Sequence, residues 1–413
     1  MSQYYRRNSC RLCNSSALTE VFSLEPTPPA NAFVSESDRH KTQQCYPLTL
    51  CFCEECSHLQ LVDVVPAKEL FEHYVYVSGT SPVFVEHFRQ YAEECLSKFN
   101  LKKGHKVLDI GSNDGTLLRF FQEAGLEVLG IDPAKEISAQ ATESGIPTLN
   151  TFFTPELAEE LLEKHGQFDL ICANNVFAHS DDLQSFVQGI KTLLSENGTY
   201  VFEVSYLLNV YQDTLFDTIY HEHTAYHSVI PLIPFFKGQG LELVGARSIS
   251  PHGGSLRGYV RHSGHDIESS VEEMVTEEEK FGLHKSSTFV EFADKIDSVR
   301  QKLTTTLQEM KSAGKTIGAY GAPAKATTLM YHFGITPEFI DFIVDDSPLK
   351  QGLFSPGMHI PVITSDEMYR EKPDVLLILA WNFAEPIMKN NQRFLDEGGT
   401  FIVPLPQLEV FHE

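Results

Sequence analysis

The stretch Val107-Leu108-Asp109-Ile110-Gly111-Ser112-Asn113-Asp114-Gly115-Thr116 decides how this 413-residue chain folds. An apolar strand pattern runs into a glycine-containing loop and then into the helical pattern Leu117 to Ala124; glycine at such a turn lets backbone approach a ligand closely. The spacing departs from the dinucleotide fingerprint G-x-G-x-x-G. A second apolar run, Val128 to Ile131, ends at Asp132, where a carboxylate can accept hydrogen bonds from both hydroxyls of a ribose. Helical Pro155 to Lys164 and apolar Phe168 to Cys172 continue the alternation, which predicts a parallel sheet flanked by helices.

Beyond a fifth strand, Tyr200 to Val204, the chain reads as a long loop-like region. Leu241 to Ser250 and Leu256 to His262 then read as strands joined at His252-Gly253-Gly254, a hairpin that would close the sheet with antiparallel pairing. Glu268 to Glu279 and Phe289 to Lys311 read as linking helices, with leucines and isoleucines at helical spacing. Lys315 to Tyr320, Phe339 to Val344, Val375 to Leu379 and Thr400 to Val403 alternate with helical patterns, as in a second doubly wound domain. At the other end, the first ~70 residues are short segments around cysteines, broken by Pro26, Pro28, Pro29 and Pro47, and read as a small separate unit. Three domains are expected, residues 1–72, 73–283 and 284–413.

Hydrophobic residues at 42% and charged residues at 21% give the composition of a globular protein that burial can fold. The formal net charge of -24, with no Lys/Arg-rich stripe to offset it, repels a phosphate backbone, so nucleic acid is not expected as a partner. The N-terminus, Met1-Ser2-Gln3-Tyr4-Tyr5-Arg6-Arg7, lacks an apolar signal core, and no stretch approaches the ~20 apolar residues of a membrane span. A cytoplasmic location, no membrane partner and a monomer rather than an oligomer are expected.

Cys10 and Cys13, with Cys53 and Cys56 forty residues later, offer four thiolates in two knuckle-like turns, the donor set of a closed, structural, tetrahedral zinc site. Four unrelated buried thiols, or a redox pair, are the competing readings. Cys51 fits only by breaking the two-residue spacing, Cys45 has no evident role, and Cys95 and Cys172 read as packing thiols.

Between the fifth strand and the hairpin stands Asp217-Thr218-Ile219-Tyr220-His221-Glu222-His223-Thr224-Ala225-Tyr226, dense in titratable and aromatic groups. It is not a zinc-protease motif, because that motif needs histidines four apart on a helix and Ala225 stands four after His221. Two histidines flanking a glutamate in a loop can supply a general base, its orienting carboxylate and a phenol that stabilises developing oxygen charge. A packed loop residue is the competing reading for each, His221 and Tyr226 included. Farther on, Gly318-Ala319-Tyr320-Gly321-Ala322-Pro323-Ala324-Lys325 follows a strand and opens a helix, so free backbone N–H groups and a lysine are expected to face a diphosphate. The next strand ends in Val344-Asp345-Asp346 rather than the lone ribose acid of a hydride-cofactor site.

Asp109-x-Gly111 followed by Asp132 is similar to the donor site of class I S-adenosylmethionine methyltransferases. Cys10-x-x-Cys13, Pro29-Ala30-Asn31-Ala32-Phe33, Asp109-Ile110-Gly111-Ser112-Asn113-Asp114-Gly115, Tyr220-His221-Glu222-His223 and Gly321-Ala322-Pro323-Ala324-Lys325 occur in that order, and together they resemble the sugar C-3 methyltransferases over nearly the whole chain. The resemblance implies an α/β protein: a class I methyltransferase Rossmann-like domain, a small N-terminal zinc domain and a second, C-terminal Rossmann-like domain. It implies S-adenosylmethionine as methyl donor, held by Asp109, Gly111, Asn113, Asp114, Asp132 and Asn174, and one structural zinc. It also implies a nucleotide-diphosphate 4-keto-6-deoxy sugar as substrate, whose nucleotide end meets Gly321, Ala322 and Lys325. His223 would then be the base, Tyr220 and Glu222 would orient or stabilise, and Tyr76 of Tyr74-Val75-Tyr76-Val77-Ser78 would lie near the sugar. The chemistry agrees, since a carbon beside a ketone becomes a nucleophile only after losing its proton. Two other functions compete: an NAD-dependent nucleotide-sugar oxidoreductase or epimerase, and a non-catalytic zinc-ribbon binding protein with a degenerate methyltransferase core.

Overall fold

In a computed structural model of the protein, which describes residues 4–71, 77–250 and 253–412, strand Lys106–Ile110 lies near the middle of a seven-stranded sheet. On one side follow Glu127–Ile131 and Thr148–Leu149; on the other, Phe168–Asn174, Leu194–Ser205, Ser255–His262 and Leu241–Ile249. The first five of these strands in chain order run parallel, and the hairpin Leu241–Ile249/Ser255–His262 adds the antiparallel edge. Val107, Leu108, Leu170 and Ile171 are wholly buried, as expected for parallel strands covered by helices on both faces. The chain reverses its direction of sheet growth between Lys106–Ile110 and Phe168–Asn174, which opens a crevice at the carboxyl ends of those two strands.

The region after Leu194–Ser205 is not the long loop its sequence suggests. It holds helices Leu207–Gln212 and Val229–Gly238 and the short strand Ala225–Tyr226. Pro231 and Pro234 hid the second helix, because proline inside a helix removes a donor. Pro231 stands in the first turn, where the N–H has no helical partner in any case, and the buried Val229, Leu232, Phe235 and Phe236 hold the rest in place.

The N-terminal cysteine region forms a four-stranded antiparallel sheet of Leu18–Thr27, Tyr46–Cys53 and Leu59–Leu61, completed by Ala225–Tyr226 from the middle of the chain. That last strand means the unit is not separate in its hydrogen bonding. The linking helices are Ser269–Lys280 and Ser286–Ser312. Phe289, Phe292, Ile296, Val299, Leu303 and Leu307 recur at helical spacing and bury one face of the longer helix; Phe289 and Phe292 pack on Phe52 and Phe22 of the N-terminal sheet. The C-terminal sheet, in the order Val362–Ile363, Ile343–Val344, Ile317–Tyr320, Val375–Ile378, Thr400–Val403, Glu409–Phe411, is parallel apart from its last strand. Among the described residues no helix is long and apolar enough to cross a membrane.

Candidate active site

The four cysteine sulfurs lie within 4.8 Å of one another, with Cys10–Cys56 and Cys13–Cys53 each at 3.5 Å. Tetrahedral zinc with thiolate bonds of about 2.3 Å sets its sulfurs nearly 4 Å apart, so the donor set and spacing fit that ion. The two knuckles repeat one geometry: Asn14 and Ser57, each following the second cysteine, adopt left-handed φ of 60° and 66°, and their N–H groups return to the carbonyls of Cys10 and Cys53. Cys51 stays outside, its thiol pushed up to about 11 by burial. Arg11, inside the first knuckle, is buried; its guanidinium donates to the Leu61 carbonyl at 2.6 Å and pairs with Asp181 at 2.8 Å. The metal site thus braces the loop that follows strand Phe168–Asn174.

At the crevice, Gly111 has φ 75°, and a Cβ there would run into the Val176 side chain. Asp132 accepts the N–H groups of Asn113 (2.9 Å) and Ala134 (2.8 Å), one on each oxygen, which leaves one acceptor direction free on each. Asp109 Oδ1, Ser112 Oγ and both amide atoms of Asn174 are buried without a protein partner. Burial, reinforced by the Asp132 charge, holds the Asp109 carboxyl well above the usual carboxylate range. Such orphaned polar atoms at a sheet switch point fit a polar nucleoside ligand with an amino-acid end. Asn113 and Asp114 also support the fold here, their side-chain oxygens accepting the N–H groups of Ser78 and Gly79, both at 2.9 Å. They anchor the segment that leads into helix Pro82–Lys98.

The catalytic candidates sit in a turn rather than an extended strand. His223 Nδ1 lies 2.7 Å from the Thr218 carbonyl, so Nδ1 carries the proton and Nε2 keeps a free lone pair. Burial draws the His223 imidazole down to about 4, opposed by the Thr218 carbonyl. The Tyr220 ring packs on it with centroids 4.2 Å apart. Glu222 is buried and accepts from Asn31 Nδ2 at 3.0 Å, which explains the Pro29-to-Phe33 stretch as a support for this turn. His221 turns the other way, its Nε2 within 3.3 Å of the Tyr46 and Pro47 carbonyls, and is held at about 4 by burial. Tyr226 is buried in the core. Tyr76 lies outside the described residues.

Thr224 ties this turn to the crevice, its N–H and hydroxyl both bonding the Ala178 carbonyl. That contact brings in His179, a residue the sequence did not single out, which stacks on His223 at 5.1 Å and on Phe71 at 5.2 Å. Its one sequence signal is position, five residues beyond the end of strand Phe168–Asn174, where crevice residues collect.

In the C-terminal domain Gly321 has φ 91°, and its N–H meets the Val344 carbonyl at 2.7 Å. The expected free donors are partly taken: Asp345 accepts the Ala322 N–H at 2.7 Å, and Lys350 Nζ caps the Ala322 carbonyl at 2.8 Å. Lys325 is mostly buried, its ammonium 3.8 Å from Asp217 and 3.9 Å above the Trp381 ring, on the side of the turn that holds His223.

Residues 84–246 match a methyltransferase domain family, residues 10–71 a putative zinc-binding domain family, and residues 250–406 the C-methyltransferase C-terminal domain family. These matches, on a Rossmann sheet that carries a glycine turn and a tetrathiolate module, make the chain an S-adenosylmethionine-dependent methyltransferase. The chain is 34% identical over 405 residues to the C-methyltransferase NovU of Streptomyces niveus, covering 98% of this chain and 96% of that one. It belongs to this C-methyltransferase family. A ubiquinone biosynthesis O-methyltransferase of Escherichia coli shares 33% identity over 104 residues, 24% of this chain and 42% of the relative. A methyltransferase structure from Clostridium acetobutylicum aligns at 15% identity with a TM-score of 0.35, over 44% of this chain and 92% of its own.

Proposed function

We propose that the enzyme methylates C-3 of a 4-keto-6-deoxy sugar carried on a nucleoside diphosphate, through an enolate formed by His223, in branched deoxysugar biosynthesis. S-adenosylmethionine supplies the electrophilic methyl group. The observation that carries this reading is the 2.7 Å bond from His223 Nδ1 to the Thr218 carbonyl, which aims an unprotonated Nε2 and supports the imidazolium once a proton arrives. In this reading Tyr220, whose ring packs on the same imidazole, stabilises the enolate oxygen, Glu222 holds the turn, and Tyr76 is assigned to the sugar. Asp109 and Asn174 take the amino-acid end of the donor, Gly111 and Asp132 its nucleoside, and Asn113 and Asp114 hold that loop. Residues 1–72 brace the site, 73–283 hold donor and base, and 284–413 receive the nucleotide end near Gly321, Ala322 and Lys325. O-methylation needs no carbon deprotonation, so a base with an open lone pair suits C-methylation. Incubation with labelled S-adenosylmethionine and a panel of nucleotide 4-keto sugars tests the proposal. Label should appear as a C-methyl at C-3; turnover of none of the panel, or label on oxygen, would overturn it.

A further inference from the structure

Helix Ala324–Phe333 of the C-terminal domain grips the catalytic turn on both sides of Thr218. Before it, Asp217 is fully buried; its Oδ2 accepts from Trp381 Nε1 at 2.6 Å and faces the Lys325 ammonium at 3.8 Å. After it, the Ile219 carbonyl accepts from the Thr328 hydroxyl at 2.9 Å. Phe216 packs on Phe333 with centroids 4.8 Å apart. Within the turn, the Thr218 hydroxyl closes on the Leu215 carbonyl at 2.7 Å. The Thr218 carbonyl is therefore fixed by neighbours that a different domain holds, and it is the acceptor that orients His223.

We infer that Trp381, Thr328 and Asp217 are positioning residues: by holding the peptide on either side of Thr218, the C-terminal domain sets the tautomer and direction of the His223 imidazole. The inference rests on His223 being the base. A hydrogen bond on one ring nitrogen decides which nitrogen is left to act, so a shifted carbonyl frees His223 to carry its proton on Nε2, where it cannot accept another. Displacement of a reacting group by about 1 Å costs about a hundredfold in rate. Lys325 is left intact in the test, because it stands on the side given to the nucleotide.

Thr328→Val removes the hydroxyl at nearly constant shape, and Trp381→Phe removes the indole N–H while keeping an aromatic ring. Nitrogen-15 NMR of histidine-labelled protein without substrate, with the His223 signal identified by its loss in H223N, reads the tautomer directly. The wild type should show Nδ1–H, and either variant should move His223 toward Nε2–H. Exchange of the substrate C-3 proton with deuterated water should fall about tenfold or more while donor affinity holds. Folded variants with an unmoved His223 signal overturn the inference, whatever their activity. A moved signal with unchanged exchange upholds the positioning but contradicts His223 as the base. If Trp381→Phe fails to fold, Thr328→Val alone decides.

Discussion

Asp132→Ala is expected to weaken S-adenosylmethionine binding by ~1 to 3 kcal/mol, about 5- to 150-fold. Each carboxylate oxygen has one acceptor direction occupied by backbone, Asn113 on one and Ala134 on the other, so two remain for two ribose hydroxyls. Hydrogen bonds to a charged acceptor are each worth about 1.5 to 3 kcal/mol. Burial pushes the Asp132 carboxyl up, so part of that gain offsets the cost of keeping the charge, and a net loss of about one such bond, ~1 to 3 kcal/mol, is expected. Alanine also strips acceptors from two backbone N–H groups, so stability should drop by about 1 to 3 kcal/mol for each one that stays dry. Asp132→Asn separates the two effects, since it keeps one acceptor oxygen while its amide opposes a backbone donor. Titration calorimetry with S-adenosylmethionine, on protein shown to be folded by its thermal transition, reads the affinity. Unchanged donor affinity in the folded alanine variant would refute the assignment of Asp132 to the ribose.

Metal analysis should find one zinc per chain, and stripping it with a chelator should unfold the N-terminal sheet and lower turnover by loosening Arg11 and Asp181; protein without zinc, or zinc-free protein of full activity, would count against this. Acid should destabilise the fold through its buried histidines. His221 sits at about 4 against an ordinary 6.5, so the unfolded chain binds its proton first. The stability it contributes, about 3 kcal/mol, is complete above pH 6.5 and is lost as pH falls from 6.5 toward 4. His58 and His227, fully buried and shifted the same way, add to that slope. Urea midpoints that do not change between pH 7 and 5 would contradict it.

The strand, loop and helix at Val107 to Thr116 were legible because a buried parallel strand, a left-handed glycine and an amphipathic helix each leave a local mark. The cysteine knuckles were legible because ligand spacing is itself local. The helix at Val229–Gly238 was not, since its prolines signal a break that tertiary burial overrides. Nor was strand Ala225–Tyr226, whose partners Leu59 and Gln60 lie far away in sequence. The segment Tyr220 to His223 could be picked out, but not the turn that sends one histidine to the Tyr46 carbonyl and the other to that of Thr218. His179 and Trp381 could not be found, because each matters only through a contact with a residue distant in the chain.

The central claim is that His223 removes the proton from the sugar carbon. Exchange of that proton with deuterated water, followed by NMR in the absence of methyl donor, tests it without any methyl transfer. Wild type and His221→Asn should exchange, whereas His223→Asn should bind substrate but lose exchange by ~10²- to 10⁴-fold. Exchange at the wild-type rate in His223→Asn would contradict the account; if His221→Asn then failed to exchange, the wrong histidine would have been chosen, and if both exchanged normally the base would lie elsewhere, with Glu222 and Tyr76 the next candidates.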